Sequence, residues 1–239
     1  MFHMKTSSPF FAVAAAAGVP WSISNVPVTG LTDIAFLLSI ANAPPPFPPP
    51  KKGYYFARQF SFKGSANATS DGETFFHTRA IFSNFIKGST TVDRNCHEGA
   101  DGGAGVGYGM EFLAPSADYY VLEIRNTQRT MWNGTVVDAL TPSRYHIGSY
   151  TLPAGTEGIA GTQVSFVEYF LPSDCPELPY ASVEFGTPVT SNRGSVGWLE
   201  DPYESGDCVG KIDFKWKRTP RGIEMSFGFK VVETWISAT

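Results

Sequence analysis

Charge is scarce in this chain of 239 residues: Asp, Glu, Lys and Arg make up only 17% of it, and the formal net charge is -4. Lys and Arg form no run beyond "KWKRTPR" at 215–221, so the basic stripe of a nucleic-acid partner is not expected. Long hydrophobic runs are missing as well. The two apolar stretches near the start, "PFFAVAAAAGV" and "IAFLLSIANA", both fall short of the roughly 18–20 residues of a membrane span. Cysteine is sparse, with Cys96, Cys175 and Cys208 and no CxxC or Cys/His zinc spacing. No serine sits in a G-x-S-x-G elbow, and from Gly53 onward no segment longer than about ten residues keeps a helical period.

Aromatic residues are plentiful: 14% of the chain, with 19 Phe and 10 Tyr. Rings of this kind favour pleated, half-buried surfaces. Two-residue alternation recurs between Gly, Pro, Asn and Asp punctuation. In "YYFARQFSFK", Phe56, Phe60 and Phe62 share a face with Arg58, while Tyr55, Ala57, Gln59 and Ser61 take the other. "TFFHTRAIF" reads as one strand, and "YGMEFL", "YYVLEIR", "TMWNGTVVDA", "YHIGSYTLP", "TQVSFVEYFL" and "YASVEFG" follow. "KIDFKWKR", the turn "TPRG" and "IEMSFGFKVVE" read as a hairpin in which Ile212, Phe214 and Trp216 are answered by Ile223, Met225, Phe227 and Phe229. About ten strands with frequent turns predict an all-β, two-sheet antiparallel β-sandwich or jelly roll.

The first 43 residues carry almost no charge apart from Lys5 and Asp33. They read as an export signal or a disordered prefix, with Ala41, Asn42 and Ala43 as a small-x-small triplet. Residues 44–52, "PPPFPPPKK", form a polyproline-type spacer, which places the sandwich domain at 53–239. Export would make the protein secreted and would favour a disulfide. Cys175 and Cys208 lie in turn-rich loops and are the expected pair, worth roughly 3–4 kcal/mol in the chain-entropy model, which leaves Cys96 over.

The candidate chemistry is thin. "RNCHEGADGGAGVGYGMEF" at 94–112 has Met110 where a dinucleotide loop needs its third glycine, so it reads as a connection between strands or as an irregular calcium site built from Asp93, Glu98 and Asp101 with Asn95 nearby. Glu111, Glu123, Glu168 and Glu184 sit within strands, and Glu168 shares its face with Phe166 and Phe170. An acid among aromatics has the makings of a general acid. The alternative is pairing with an Arg such as Arg79 or Arg125. Arg144, Tyr145 and His146 supply the residue types of a polysaccharide lyase, without its motif. Trp132, Tyr169, Trp198 and Tyr203 are candidates to stack on sugar rings, with Trp198 and Tyr203 the best placed for exposure.

The order of "AIFSNF", the loop "GADGGAGVG" at 99–107, "FVEYF" at 166–170 and "PYASVEFGTP" at 179–188 resembles the secreted family catalogued as domain of unknown function three-four-seven-two, across roughly residues 53–230. The resemblance implies a concanavalin-like sandwich on an exported protein, beside carbohydrate-associated modules in some members, with no established activity. Many members have a Cys on each side of the glycine loop. Cys96 matches the first, but Gly107 or Tyr108 stands in place of the second. The expected function is non-catalytic binding of a polysaccharide or cell-surface glycan. A polysaccharide hydrolase or lyase using Glu168 and a structural cell-envelope protein are the alternatives.

Overall fold

The computed structural model describes residues 13–40, 42, 53–65, 69–75, 79–111, 119–141, 143–170 and 174–230. Two antiparallel sheets hold all of its strands. The first carries β1 (Val13–Ser24), β3 (Gly53–Ser61), β4 (Thr69–Phe75), β5 (Arg79–Asn84), β6 (Cys96–Glu98), β7 (Val106–Glu111), β11 (Thr162–Phe170), β13 (Val196–Leu199) and β14 (Tyr203–Ser205). Its order is β13-β1-β11-β3-β4-β5-β7-β6, with β14 following β13 along the free edge of β1. The second carries β2 (Asp33–Ser39), β8 (Tyr120–Gln128), β9 (Met131–Asp138), β10 (Arg144–Thr151), β12 (Ala181–Gly186), β15 (Lys215–Arg218) and β16 (Gly222–Phe227), in the order β10-β9-β8-β2-β12-β16-β15. Their inner faces interdigitate in one apolar core, so the expected two-sheet antiparallel β-sandwich is what forms.

The alternation predicted for β3 holds except at Ala57: Phe56, Arg58 and Phe60 are fully buried and Tyr55, Gln59 and Ser61 face outward, while Ala57, on the outward register, is fully buried as well. The predicted C-terminal hairpin is β15 with β16, in which Trp216 opposes Met225. Lys215, Lys217 and Arg218 accompany Trp216 along this exposed edge, the kind of charged edge that discourages pairing with another chain. "TFFHTRAIF" is not one strand. Its ends belong to β4 and β5, which pair with each other so that Phe75 opposes Arg79.

The domain boundary at Gly53 is corrected. β1 and β2 come from the stretch read as a prefix, and they pair near the middle of the two sheets, β1 with β11 and β2 with both β8 and β12. Trp21 and Phe36 are fully buried and meet edge to face across the core, ring centroids 5.3 Å apart. β2 alternates without a break, with Ile34, Phe36 and Leu38 inward. Its outward Ala35 and Leu37 are apolar too, and this makes the segment read as a continuous run. The outward register positions of β1 include Ala16, Gly18 and Pro20, small or ring-closed residues that give its first half an export-like composition. Pro20 lacks an N–H, and its carbonyl accepts from Glu200 at 2.9 Å in the gap between β13 and β14, where the ladder is interrupted. The proline-rich segment 44–52 lies outside the described residues.

Cys175 and Cys208 form the expected disulfide, and Cys96 is the free thiol. Arg58 is the unusual core residue. Its guanidinium donates to Ser165 Oγ at 2.7 Å and to the carbonyls of Leu37 at 2.7 Å and Gly186 at 3.1 Å. It also lies over the rings of Phe185 and Phe36, at 4.4 and 5.1 Å from their centroids. Burial pushes its pKa down to about 9, so it is still protonated at neutral pH.

The glycine-rich loop joins neighbours within one sheet rather than crossing between sheets. β6 folds back on β7, so that Cys96, His97 and Glu98 oppose Tyr108, Gly107 and Val106. Gly105 has φ +98°, and a Cβ there would sit 1.9 Å from the Asn84 carbonyl oxygen. Gly102 also has a positive φ, with open space around it. Gly105→Ala is therefore expected to cost about 3 kcal/mol, at the upper end for a strained backbone position, against about 1 kcal/mol for Gly102→Ala. Urea midpoints of the two variants check this, and equal losses would contradict the close packing at Gly105.

Candidate functional site

The outer face of the nine-stranded sheet holds the surviving candidates. Directly opposed residues in antiparallel strands share a face, so the register fixes the pattern there. One row runs from Ser205 through Ala16 and Glu168 to Tyr55; the next runs from Tyr203 through Gly18 and Phe166 to Ala57. Further along β1, Trp198 opposes Ser22. Trp198 is 44% exposed and Tyr203 41%, enough for either ring to meet a ligand. Gly18 makes room for Tyr203: a Cβ on residue 18 would lie 2.5 Å from the phenol Cζ and 2.7 Å from its oxygen. The Tyr203 ring thus lies down over β1 and points toward β11.

Glu168 is half-buried beside Phe166, whose ring centroid is 5.8 Å from that of Tyr55. Burial pushes its carboxyl above the ordinary glutamate value, and among the described residues it has neither an ion pair nor a hydrogen bond. Such an acid is a functional-site candidate on physical grounds, because its charge is a standing cost to the fold. A raised folded pKa means that the folded state holds the proton more tightly. The cost is therefore fully present above that pKa and fades as pH falls toward the unfolded value near 4.3. Glu168→Gln is expected to raise Tm at pH 8 and to leave it unchanged near pH 4. A Tm lowered at pH 8 would reveal a partner that stabilises the carboxylate.

The other strand acids are paired. Glu123 Oε2 lies 2.5 Å from Arg144 and 3.3 Å from Arg125, so Arg125 does bind an acid, though not Glu168. Glu184 accepts from Tyr119 at 2.7 Å and from Thr219 at 2.5 Å, and it pairs with Arg221 at 3.2 Å. Burial alone would raise its pKa, but these donors and the Arg221 charge hold it below the usual range. The side chains of Arg79, Glu111 and Phe170 lie outside the described residues.

Two of the predicted sugar-stacking rings are corrected. Trp132 is 2% and Tyr169 3% exposed, because both occupy inward positions. Trp132 packs on Phe62 with centroids 4.8 Å apart, and Tyr169 meets Tyr54 edge to face at the same separation. The acids of the glycine loop do not converge either, since no three His, Cys, Asp or Glu side chains among the described residues are placed to hold a metal. Asp93 is committed elsewhere: Oδ2 lies 2.6 Å from His146 Nε2 and 3.1 Å from Ser149 Oγ, and Oδ1 accepts from the Asn95 amide. Burial would raise the Asp93 pKa, but these hydrogen bonds hold it below the ordinary aspartate range. Ser149 bonds to the carboxylate rather than to the imidazole, so the trio is a clasp between the loop and β10 and not a nucleophilic triad. Arg144 and His146 face outward on β10 while Tyr145 packs against the core, which separates the residue types of the lyase reading.

Sequence reasoning missed the contribution of Gly18 to this face. It stands in the run "AAAAGVP", where small residues occupy both faces and leave no alternation to read. Fold and site together define an all-β, two-sheet antiparallel sandwich whose outer face carries aromatic residues around Glu168, an acid with no partner among the described residues. No protein-family model matches the chain, and neither does any curated protein. Among the described residues no helix is long and apolar enough to cross a membrane.

Proposed function

We propose that this protein is a secreted, non-catalytic glycan-binding sandwich, in keeping with the concanavalin-like resemblance, and that the outer face of its nine-stranded sheet receives the polysaccharide. The observation that carries the reading is the pair of exposed rings, Trp198 and Tyr203, held on one face of a rigid sheet. The apolar faces of sugar rings stack on such side chains, and ring burial supplies the affinity. Ser22 and Gly18, the partners of the two rings, are four residues apart along β1, or about 13 Å, a span suited to a chain of sugars rather than a single ring. The Cys175–Cys208 disulfide supports an oxidising, extracellular setting. Pull-down with insoluble polysaccharides and a glycan array test the proposal. Binding is expected, with Trp198→Ala and Tyr203→Ala each weakening it about tenfold or more. Absence of binding to any glycan, or binding indifferent to both variants, overturns it.

One observation favours a second reading, a polysaccharide-cleaving enzyme: the raised pKa of Glu168 suits a general acid. Such an enzyme needs a second carboxylate. In the two strands beyond β11 the acidic register positions opposite Ala57 and Gln59 are Glu73 and Asp71 of β4, whose side chains lie outside the described residues. Release of reducing ends or unsaturated products from a polysaccharide panel, abolished by Glu168→Gln, would establish it.

A further inference from the structure

We infer that the glycan taken by this face carries free primary amines, as a polymer of de-N-acetylated amino sugars does, and that Glu168 receives the ammonium group. The inference rests on the glycan-binding reading and adds the chemical class of the ligand.

Charge on the face is one-sided. The outward register positions of β1 are Ala16, Gly18, Pro20, Ser22 and Ser24; those of β3 are Tyr55, Ala57, Gln59 and Ser61. β11 presents Val164, Phe166 and Glu168, β13 presents Val196 and Trp198, and β14 presents Tyr203 and Ser205. Across these five strands Glu168 is the one charged residue at an outward position. Beyond β3 the row of Glu168 runs through Tyr55 and Phe75 to Arg79 on β5, and Glu73 and Asp71 occupy register positions in the neighbouring rows of β4; the side chains of these β4 and β5 residues lie outside the described residues. The free edge leans the same way: residues 198–208 contain Glu200, Asp201, Glu204 and Asp207 and no Lys or Arg. Asp201 is met by Arg218 at 2.7 Å, and Glu204 accepts from the Gly210 amide.

The position of Glu168 completes the argument. It lies diagonally across from Gly18, where the Tyr203 phenol rests, and diagonal neighbours on a sheet are roughly 7–8 Å apart. A sugar stacked on Tyr203 would bring a ring substituent to the carboxylate. A hydroxyl arriving there would donate one neutral hydrogen bond. An ammonium would supply the counter-charge that none of the described residues provides, and charge-assisted hydrogen bonds are about twice as strong as neutral ones. A carboxylated or sulfated glycan would meet repulsion from an acid that no described cation screens. The face therefore discriminates by charge as well as by shape.

The test compares four polymers on the full chain: chitosan, the same chitosan after chemical re-acetylation, a neutral β-glucan and a carboxymethylated glucan. Chitosan is expected to bind about tenfold more tightly than its re-acetylated form at low ionic strength. That preference should shrink at high salt and vanish in Glu168→Gln, while Trp198→Ala weakens binding to every polymer. The re-acetylated ligand removes the charge without touching the protein, so the outcome does not depend on how the variant folds. Equal affinity for chitosan and its re-acetylated form, or a preference for the carboxymethylated polymer, overturns the amine assignment and leaves glycan binding standing. Failure to bind any of the four overturns the amine assignment, and glycan binding falls only if the wider pull-down panel is blank as well.

Discussion

A chain that begins at Gly53 is expected not to fold. Removing the first 52 residues deletes β1 and β2, and with them the buried side chains of Val19, Trp21, Ile23, Leu31, Ile34, Phe36, Leu38 and Ile40. Each is worth about 1.5–3 kcal/mol when fully buried. Their combined loss exceeds the roughly 5–15 kcal/mol by which domains are usually stable. The deletion also uncovers strand edges where no edge was meant to be. β11 loses its partner on one side, and β8 and β12 lose the strand that joins them. Exposed ladder edges of this length invite aggregation. The expected result is insoluble protein, or soluble protein without near-UV circular dichroism or a cooperative melt, whereas the full chain shows both. A cooperative transition in the truncated chain would overturn the assignment of β1 and β2 to the sheets. A proteolytic cut after Ala43 is expected to have the same consequence, because it too removes β1 and β2.

The second large effect is expected at Arg58. Arg58→Ala removes three hydrogen bonds and leaves Ser165 Oγ and the carbonyls of Leu37 and Gly186 without their donor. It also opens a cavity between Phe36 and Phe185. Unpaired buried acceptors and a large-to-small change in the core together are expected to cost about 3–5 kcal/mol, or a fall in Tm of about 10 °C or more for a chain of this size. Arg58→Met is expected to cost less, because it fills the space with apolar volume and removes an ion that is expensive to bury. Urea denaturation of both variants separates the contributions. A loss confined to Arg58→Ala assigns the role of Arg58 to packing; equal losses assign it to the hydrogen bonds. Tolerance of Arg58→Ala within about 0.5 kcal/mol, as at an ordinary surface site, would overturn the structural role altogether.

Legibility in the sequence followed local regularity. Where apolar and polar residues alternate, as in Tyr54 to Phe62 and Ile223 to Phe227, the strands and the buried face were readable before the fold was known. The disulfide was readable because Cys175 and Cys208 lie in turn-forming loops, and Cys96 is the odd thiol in the structure as in the sequence. β1 and β2 were misread because their outward faces carry Ala, Gly and Leu. The period-2 signal vanishes when both faces of a strand are apolar, and what remains has the composition of an export signal. β13 and β14 escaped notice because they are short edge pieces whose pairing partner lies some 180 residues earlier in the chain.

The same division holds for the site. Sequence alone determined that the protein is all-β, that it has a disulfide, that Glu168 stands among aromatics, and that Trp198 and Tyr203 are the rings most suited to exposure. Only the tertiary structure decided which candidates share a surface. Trp132 and Tyr169 went to the core because a strand's period of two assigns each side chain to one face, and which face is inner depends on the opposing sheet. Asp93 was taken by His146 and Ser149, and Glu184 by Tyr119, Thr219 and Arg221, partners supplied by other strands and loops. Glu168 has no partner among the described residues, and the Tyr203 ring lies over β1 because Gly18, in a segment remote from both, has no side chain in its way. A side chain's chemistry is written in its own residue, whereas its exposure, partners and pKa are set by whatever the fold lays against it.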